Sequence, residues 1–144
     1  MHQRDFILRM IERFGQLLIG IRKMILGGGD AQDIENALQE GSQSAGIDLN
    51  VVRGFTVESL VMLVGTDGEI DLDRAWLMAE LLLLDGLHAA RSGEPESAEQ
   101  SLMKARALYD LVGPSGAILV GIPEIKERIA EIDRELSALE GGGT

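Results

Sequence analysis

Apolar residues near the N-terminus recur at alternating intervals of four and three positions. The series is Ile7, Ile11, Phe14, Leu18, Ile21 and Ile25. Because an α-helix has about 3.6 residues per turn, this spacing places the whole series on one helical face. It predicts an amphipathic helix over residues 6–26, ending at the glycines of positions 27–29, where non-helical backbone costs least.

Three polar residues mark the starts of the next predicted helices. Asp30 is expected to cap a helix that runs to about Ala45, and Asp48 and Thr56 are expected to cap two short helices within residues 47–65. Their side-chain oxygens can accept the backbone N–H groups that a helix leaves unpaired in its first turn.

A long helix is predicted over residues 74–91. Between positions 75 and 84 it is apolar except at Glu80. A helix that is apolar around most of its circumference is normally buried by its neighbours, so we expect this one at the centre of a bundle. A turn at Gly93 then leads into a helix that begins at Pro95 and ends near Val112.

The last predicted helix, residues 123–140, has a narrow apolar stripe between charged faces. The stripe consists of Ile125, Ile129, Ile132, Leu136 and Leu139. Such a stripe is typical of a coiled-coil seam or of a helix that caps a stack. The glycine-rich residues 141–144 are expected to form a disordered tail.

These patterns place the chain in the all-α class. The one candidate strand, residues 118–120, has no segment of similar pattern with which to pair. We expect a single helical domain over residues 1–140, built as a compact bundle of five or six helices.

Residues 79–112 resemble one tetratricopeptide (TPR) repeat. Small residues at Gly86, Gly93, Ala98 and Ala105 have the spacing at which the two antiparallel helices of that repeat cross closely. The resemblance implies a TPR-like hairpin over residues 74–112, and in that family repeated hairpins form a groove for a partner's peptide. An ordinary αα-hairpin with a small-residue crossing explains the same residues.

The formal net charge of −11 changes the range of partners that can be expected. Such a field repels phosphate, which argues against nucleic-acid binding. Residues 1–26 differ, with five cationic and two acidic side chains for a net +3, so that the remainder carries −14. The absence of cysteine fits a cytoplasmic location, and we expect no membrane span. The acidic body also argues against peripheral membrane contact.

Few residues offer catalytic or metal-binding chemistry. The segment 67–71 imitates the middle of an EF-hand loop, but Arg74 stands where that loop needs a bidentate carboxylate. Glu80, Asp85 and His88 form a candidate polar site on the central helix, although a di-iron bundle would need a second histidine motif. We predict no cofactor and no functional metal.

The sequence thus favours a non-catalytic module for protein interaction or self-association, with a homodimer expected. The apolar stripes of the terminal helices provide the candidate interaction surface: Ile7, Ile11, Phe14, Leu18, Ile129, Ile132 and Leu136. The alternative is a small helical enzyme or ligand-binding protein with a site near Glu80, Asp85 and His88.

Overall fold

The computed structural model describes residues 2–66, 69–70, 72–113 and 125–142, with side chains described within 12–64, 74–113 and 125–141. It is all-α. Its helices are α1 (His2–Leu26), α2 (Ala31–Ser44), α3 (Leu49–Gly54), α4 (Val57–Val64), α5 (Leu72–Arg91), α6 (Pro95–Val112) and α7 (Ile125–Gly142).

The predicted helix caps between α1 and α4 are confirmed. Side-chain oxygens of Asp30, Asp48 and Thr56 each accept a backbone N–H from the following turn at 3.1 Å. Gly28, with a φ of 72°, adopts the left-handed conformation at the end of α1 that a side chain would disfavour. Local chemistry therefore determines where these helices begin and end.

The number of helices differs from the prediction. Within the described ranges there are seven rather than five or six. The two short helices predicted within residues 47–65 are present as α3 and α4, divided by an extended Phe55. Residues 141 and 142 continue α7 instead of belonging to a disordered tail. The candidate strand at 118–120 and the predicted helix start at Pro123 lie outside the described residues, as do residues 143–144.

A short strand pair joins α4 to α5 and was not predicted. Strand β1 (Gly65–Thr66) pairs with β2 (Glu69–Ile70) in antiparallel register, Gly65 opposite Ile70. Strand β2 supplies residues 69 and 70 of the segment 67–71, which imitates the middle of an EF-hand loop. Residues 67, 68 and 71 of that segment lie outside the described ranges.

Helix α5 occupies the centre of the core, as its apolar circumference predicts. Every residue from Ala75 to Leu87 is buried, including Glu80 and Asp85. Side chains from all seven described helices join one hydrophobic cluster with it. Each polar group on this stretch of α5 must consequently find its partner inside the protein.

Helices α5 and α6 form an antiparallel hairpin in which small residues allow close packing. Ala98 and Ala105 are fully buried, and Gly93 forms the turn with a φ of 77°. At Gly86 the helices approach so closely that an added Cβ would lie 2.7 Å from Cγ of Leu102. The crossing therefore depends on the absence of a side chain at position 86.

We expect Gly86→Ala to lower the free energy of unfolding by about 1–2 kcal/mol, because the fully buried Leu102 has no free space into which it can move. Gly20→Ala in α1 is the matched control, since an added Cβ there meets nothing within 4 Å. That variant should gain about 0.5–1 kcal/mol from helix propensity. Urea denaturation measures both, and equal gains would contradict the close crossing.

Candidate functional site

The predicted polar residues of α5 do not form one site. Glu80 and Asp85 are both buried, yet they are five positions apart and hence about 140° apart around the helix. Each belongs to a separate cluster of polar side chains. His88 is half-buried, and its Nδ1 lies 3.5 Å from the hydroxyl of Ser92. The structure therefore does not bring Glu80 together with Asp85 in one cluster.

The first group, which we name the Arg53 cluster, consists of Glu35, Arg53, Asp85, Ser101 and Lys104. Arg53 donates from Nη1 and Nη2 to the two carboxylate oxygens of Glu35 at 2.8 and 2.9 Å. Its Nη2 also donates to Asp85 at 2.6 Å. One guanidinium thus joins α2 and α5 to α3.

Two residues of α6 complete the Arg53 cluster. Ser101 donates its hydroxyl to Asp85 at 2.8 Å, and Lys104 donates from Nζ to the backbone carbonyl of Arg53 at 2.7 Å. Burial lowers the pKa of Lys104. The hydrogen bonds between Arg53 and Glu35 lower the pKa of Glu35 and raise the pKa of Arg53.

The second group, the Glu80 cluster, consists of Arg22, Glu80, Tyr109, Arg128 and Glu131. Tyr109 donates its hydroxyl to Glu80, and Arg128 donates from Nη2 to the same carboxylate at 3.1 Å. Arg22 binds Glu131 at 2.6 Å, and Arg128 lies 3.6 Å from Glu131. The cluster therefore connects α1, α5, α6 and α7.

Both clusters are suited to holding helices together. Their charged groups are bound to one another or, for Lys104, to a backbone carbonyl, and neither cluster lines the open groove along α6. Within the described residues, no three His, Asp or Glu side chains are placed to hold a metal ion together. None of the described helices combines the length and apolar character that a membrane span requires.

The predicted interaction surface also requires correction. Phe14 and Leu18 are 5% exposed and Ile132 is fully buried, because α1 and α7 pack their stripes against the chain's own core. Ile129 and Leu136 are half-buried against the same core. The side chains of Ile7 and Ile11 lie outside the described residues.

An open groove of about 550 Å³ lies along α6, and we name it the α6–α7 groove. Its lining consists of Val57 from α4, Pro95, Glu96, Glu99, Met103, Arg106, Ala107 and Asp110 from α6, and Leu136, Leu139 and Glu140 from α7. The α6 residues recur every three or four positions and share one helical face. Met103 is 50% exposed.

The sequence indicates one wall of this groove but not the groove itself. Leu136 belongs to the predicted stripe of α7 and does line the groove, together with Leu139. Met103 is a single apolar residue on the charged side of α6, where one exposed hydrophobic side chain is common. Only the packing of α7 beside α6 makes these residues neighbours.

Comparisons of the chain with protein-family models, curated proteins and solved structures gave no match.

We expect Arg53→Lys to lower the free energy of unfolding by about 1–3 kcal/mol. An ammonium group cannot donate in the same fork to Glu35 and Asp85, so one buried acceptor loses its partner. Arg106→Lys is the matched control, because that guanidinium binds the exposed Asp133 and Asp110. Chemical denaturation at neutral pH should show a much larger loss of unfolding free energy for Arg53→Lys than for Arg106→Lys. Equal losses would contradict the prediction.

The buried carboxyl group of Glu80 should make the stability of the protein depend on pH. Burial raises the pKa of Glu80, so the folded protein retains a proton that the unfolded chain releases. Stability contributed by this carboxyl group is present below the unfolded pKa and decreases as the pH rises through the folded value. The parent should lose stability relative to Glu80→Gln as the pH increases above about 4.5. Paired denaturation curves measure this difference; a constant difference would contradict it.

Proposed function

We propose that the chain is a non-catalytic protein-interaction module whose α6–α7 groove binds an apolar helical segment of a partner. The groove is the observation that carries the proposal. It combines an apolar lining from Val57, Met103, Ala107, Leu136 and Leu139 with charged residues at its edge. This composition is typical of grooves that receive one face of an amphipathic helix.

The TPR-like interpretation is consistent with that role. Helix α6 is the second helix of the hairpin that resembles the repeat, and it supplies most of the lining residues. In the repeat family, stacked hairpins form a concave surface for a partner's peptide. The remaining lining here comes from α7 and from Val57 of α4, so a single hairpin with neighbouring helices would suffice for a groove.

Met103 is the feature of the groove most favourable for binding. It is unbranched and half exposed, and methionine adapts its side chain to different apolar surfaces. Exposed apolar area gains free energy when a partner removes it from water. The homodimer and the cytoplasmic location remain predictions, and the lining of this groove includes none of Glu80, Asp85 and His88, the residues of the enzyme alternative.

Binding is best tested with a synthetic helix of about 16 residues, because that length spans about 24 Å and matches the lined part of α6. The peptide has Leu and Met on one face and Gln and Ala elsewhere. We expect amide chemical-shift changes, measured by NMR on the labelled protein, to concentrate on the residues that line the groove.

Met103→Glu should weaken binding of this peptide at least about tenfold, since it places a charge in the apolar lining. Met62→Glu is the matched control: Met62 is 78% exposed on α4 and does not line the groove. Fluorescence anisotropy measures both affinities. Absence of binding to the parent protein, or equal loss in the two variants, would contradict the proposal.

A further inference from the structure

The edge of the α6–α7 groove is strongly acidic. Four carboxylates line it, on Glu96, Glu99, Asp110 and Glu140, and all four residues are exposed. The lining contains one cation, Arg106. An apolar groove with this edge has a negative potential that a partner's charges must complement.

Arg106 does little to offset these carboxylates. Its Nε lies 2.9 Å from Asp133 on α7, and its Nη1 lies 3.2 Å from Asp110. The guanidinium is therefore committed to two carboxylates, one of which lies outside the lining. Glu96, Glu99 and Glu140 remain as the acidic residues that a ligand would meet.

Helix stability does not explain all three of these glutamates. Glu96 lies in the first turn of α6, where a negative charge interacts favourably with the helix dipole. Glu140 lies in the last turn of α7, where a negative charge is unfavourable and where no basic residue is present. The charge of Glu140 therefore does not stabilise α7 itself.

We infer that the ligand of the groove is a basic amphipathic helix, with apolar anchors over Met103 and Leu136 and with Lys or Arg side chains directed to Glu96, Glu99 and Glu140. This inference depends on the proposed function, because it specifies the chemistry of the segment that the groove binds. The net charge of −11 also favours a basic partner, since it attracts positive charge at long range.

Three peptides with one apolar face test the inference. They differ only at the flanking positions, which carry Lys, Gln or Glu, and their affinities are measured by fluorescence anisotropy. At low salt we expect the Lys peptide to bind about tenfold more tightly than the Gln peptide, and the Glu peptide to bind most weakly. Salt at about 0.5 M should reduce the difference, because it screens exposed charges.

A charge-reversed protein is the matched control. The double variant Glu96→Lys, Glu99→Lys changes two exposed side chains, and it should prefer the Glu peptide while binding the Gln peptide as the parent does. Thermal unfolding followed by circular dichroism verifies that the variant is folded. An unchanged preference for the Lys peptide would overturn the assignment of these glutamates.

The remaining outcomes separate the two proposals. Equal affinity for the Lys and Gln peptides would overturn the basic ligand and leave the apolar groove in place. No binding of any peptide would overturn the proposed function as well, and so would binding of the Gln peptide that Met103→Glu leaves unchanged. Sedimentation of the parent as a dimer at about 0.1 mM, abolished by Met103→Glu, would identify the occupant as a second copy and overturn the foreign basic helix.

Discussion

Enclosure of α5 by the other helices is the constraint on which the rest of the structure depends. Its buried stretch carries two carboxyl groups, Glu80 and Asp85, and a buried polar group without a hydrogen-bond partner costs free energy whether or not it is charged. The two side chains point in different directions, so each requires its own polar partners. The Arg53 cluster and the Glu80 cluster meet this requirement and, in doing so, determine how α2, α3, α6 and α7 are placed around the central helix.

Features encoded within a few residues could be predicted, whereas those that depend on distant residues could not. The capping side chains of Asp30, Asp48 and Thr56 act on the next turn, and the apolar composition of α5 directly indicates burial. Arg53 is 32 positions from Asp85, and Arg128 is 48 positions from Glu80. No local pattern pairs them, because many charged residues in the chain have an equivalent sequence context.

The error in the predicted interaction surface has the same origin. An apolar stripe shows that a helix packs against something, but it does not show whether the partner is the same chain or another one. Here Phe14, Leu18 and Ile132 are covered internally. The available surface instead arises where α7 leaves part of α6 uncovered. That geometry follows from helix placement, so Met103 and Leu136 could be recognised as neighbours only in three dimensions.

The way α7 is attached has a consequence for local unfolding. Among its described side chains only Ile132 is fully buried, and much of its remaining attachment consists of ion pairs that involve Arg22, Arg106 and Glu80. A helix whose apolar stripe is mostly only partly buried opens at a lower free energy than the core. Its amide hydrogens should exchange with solvent sooner than those of α5. Opening would separate Arg128 from Glu80 and remove one wall of the groove, so any ligand that bound the groove would also protect α7 from exchange.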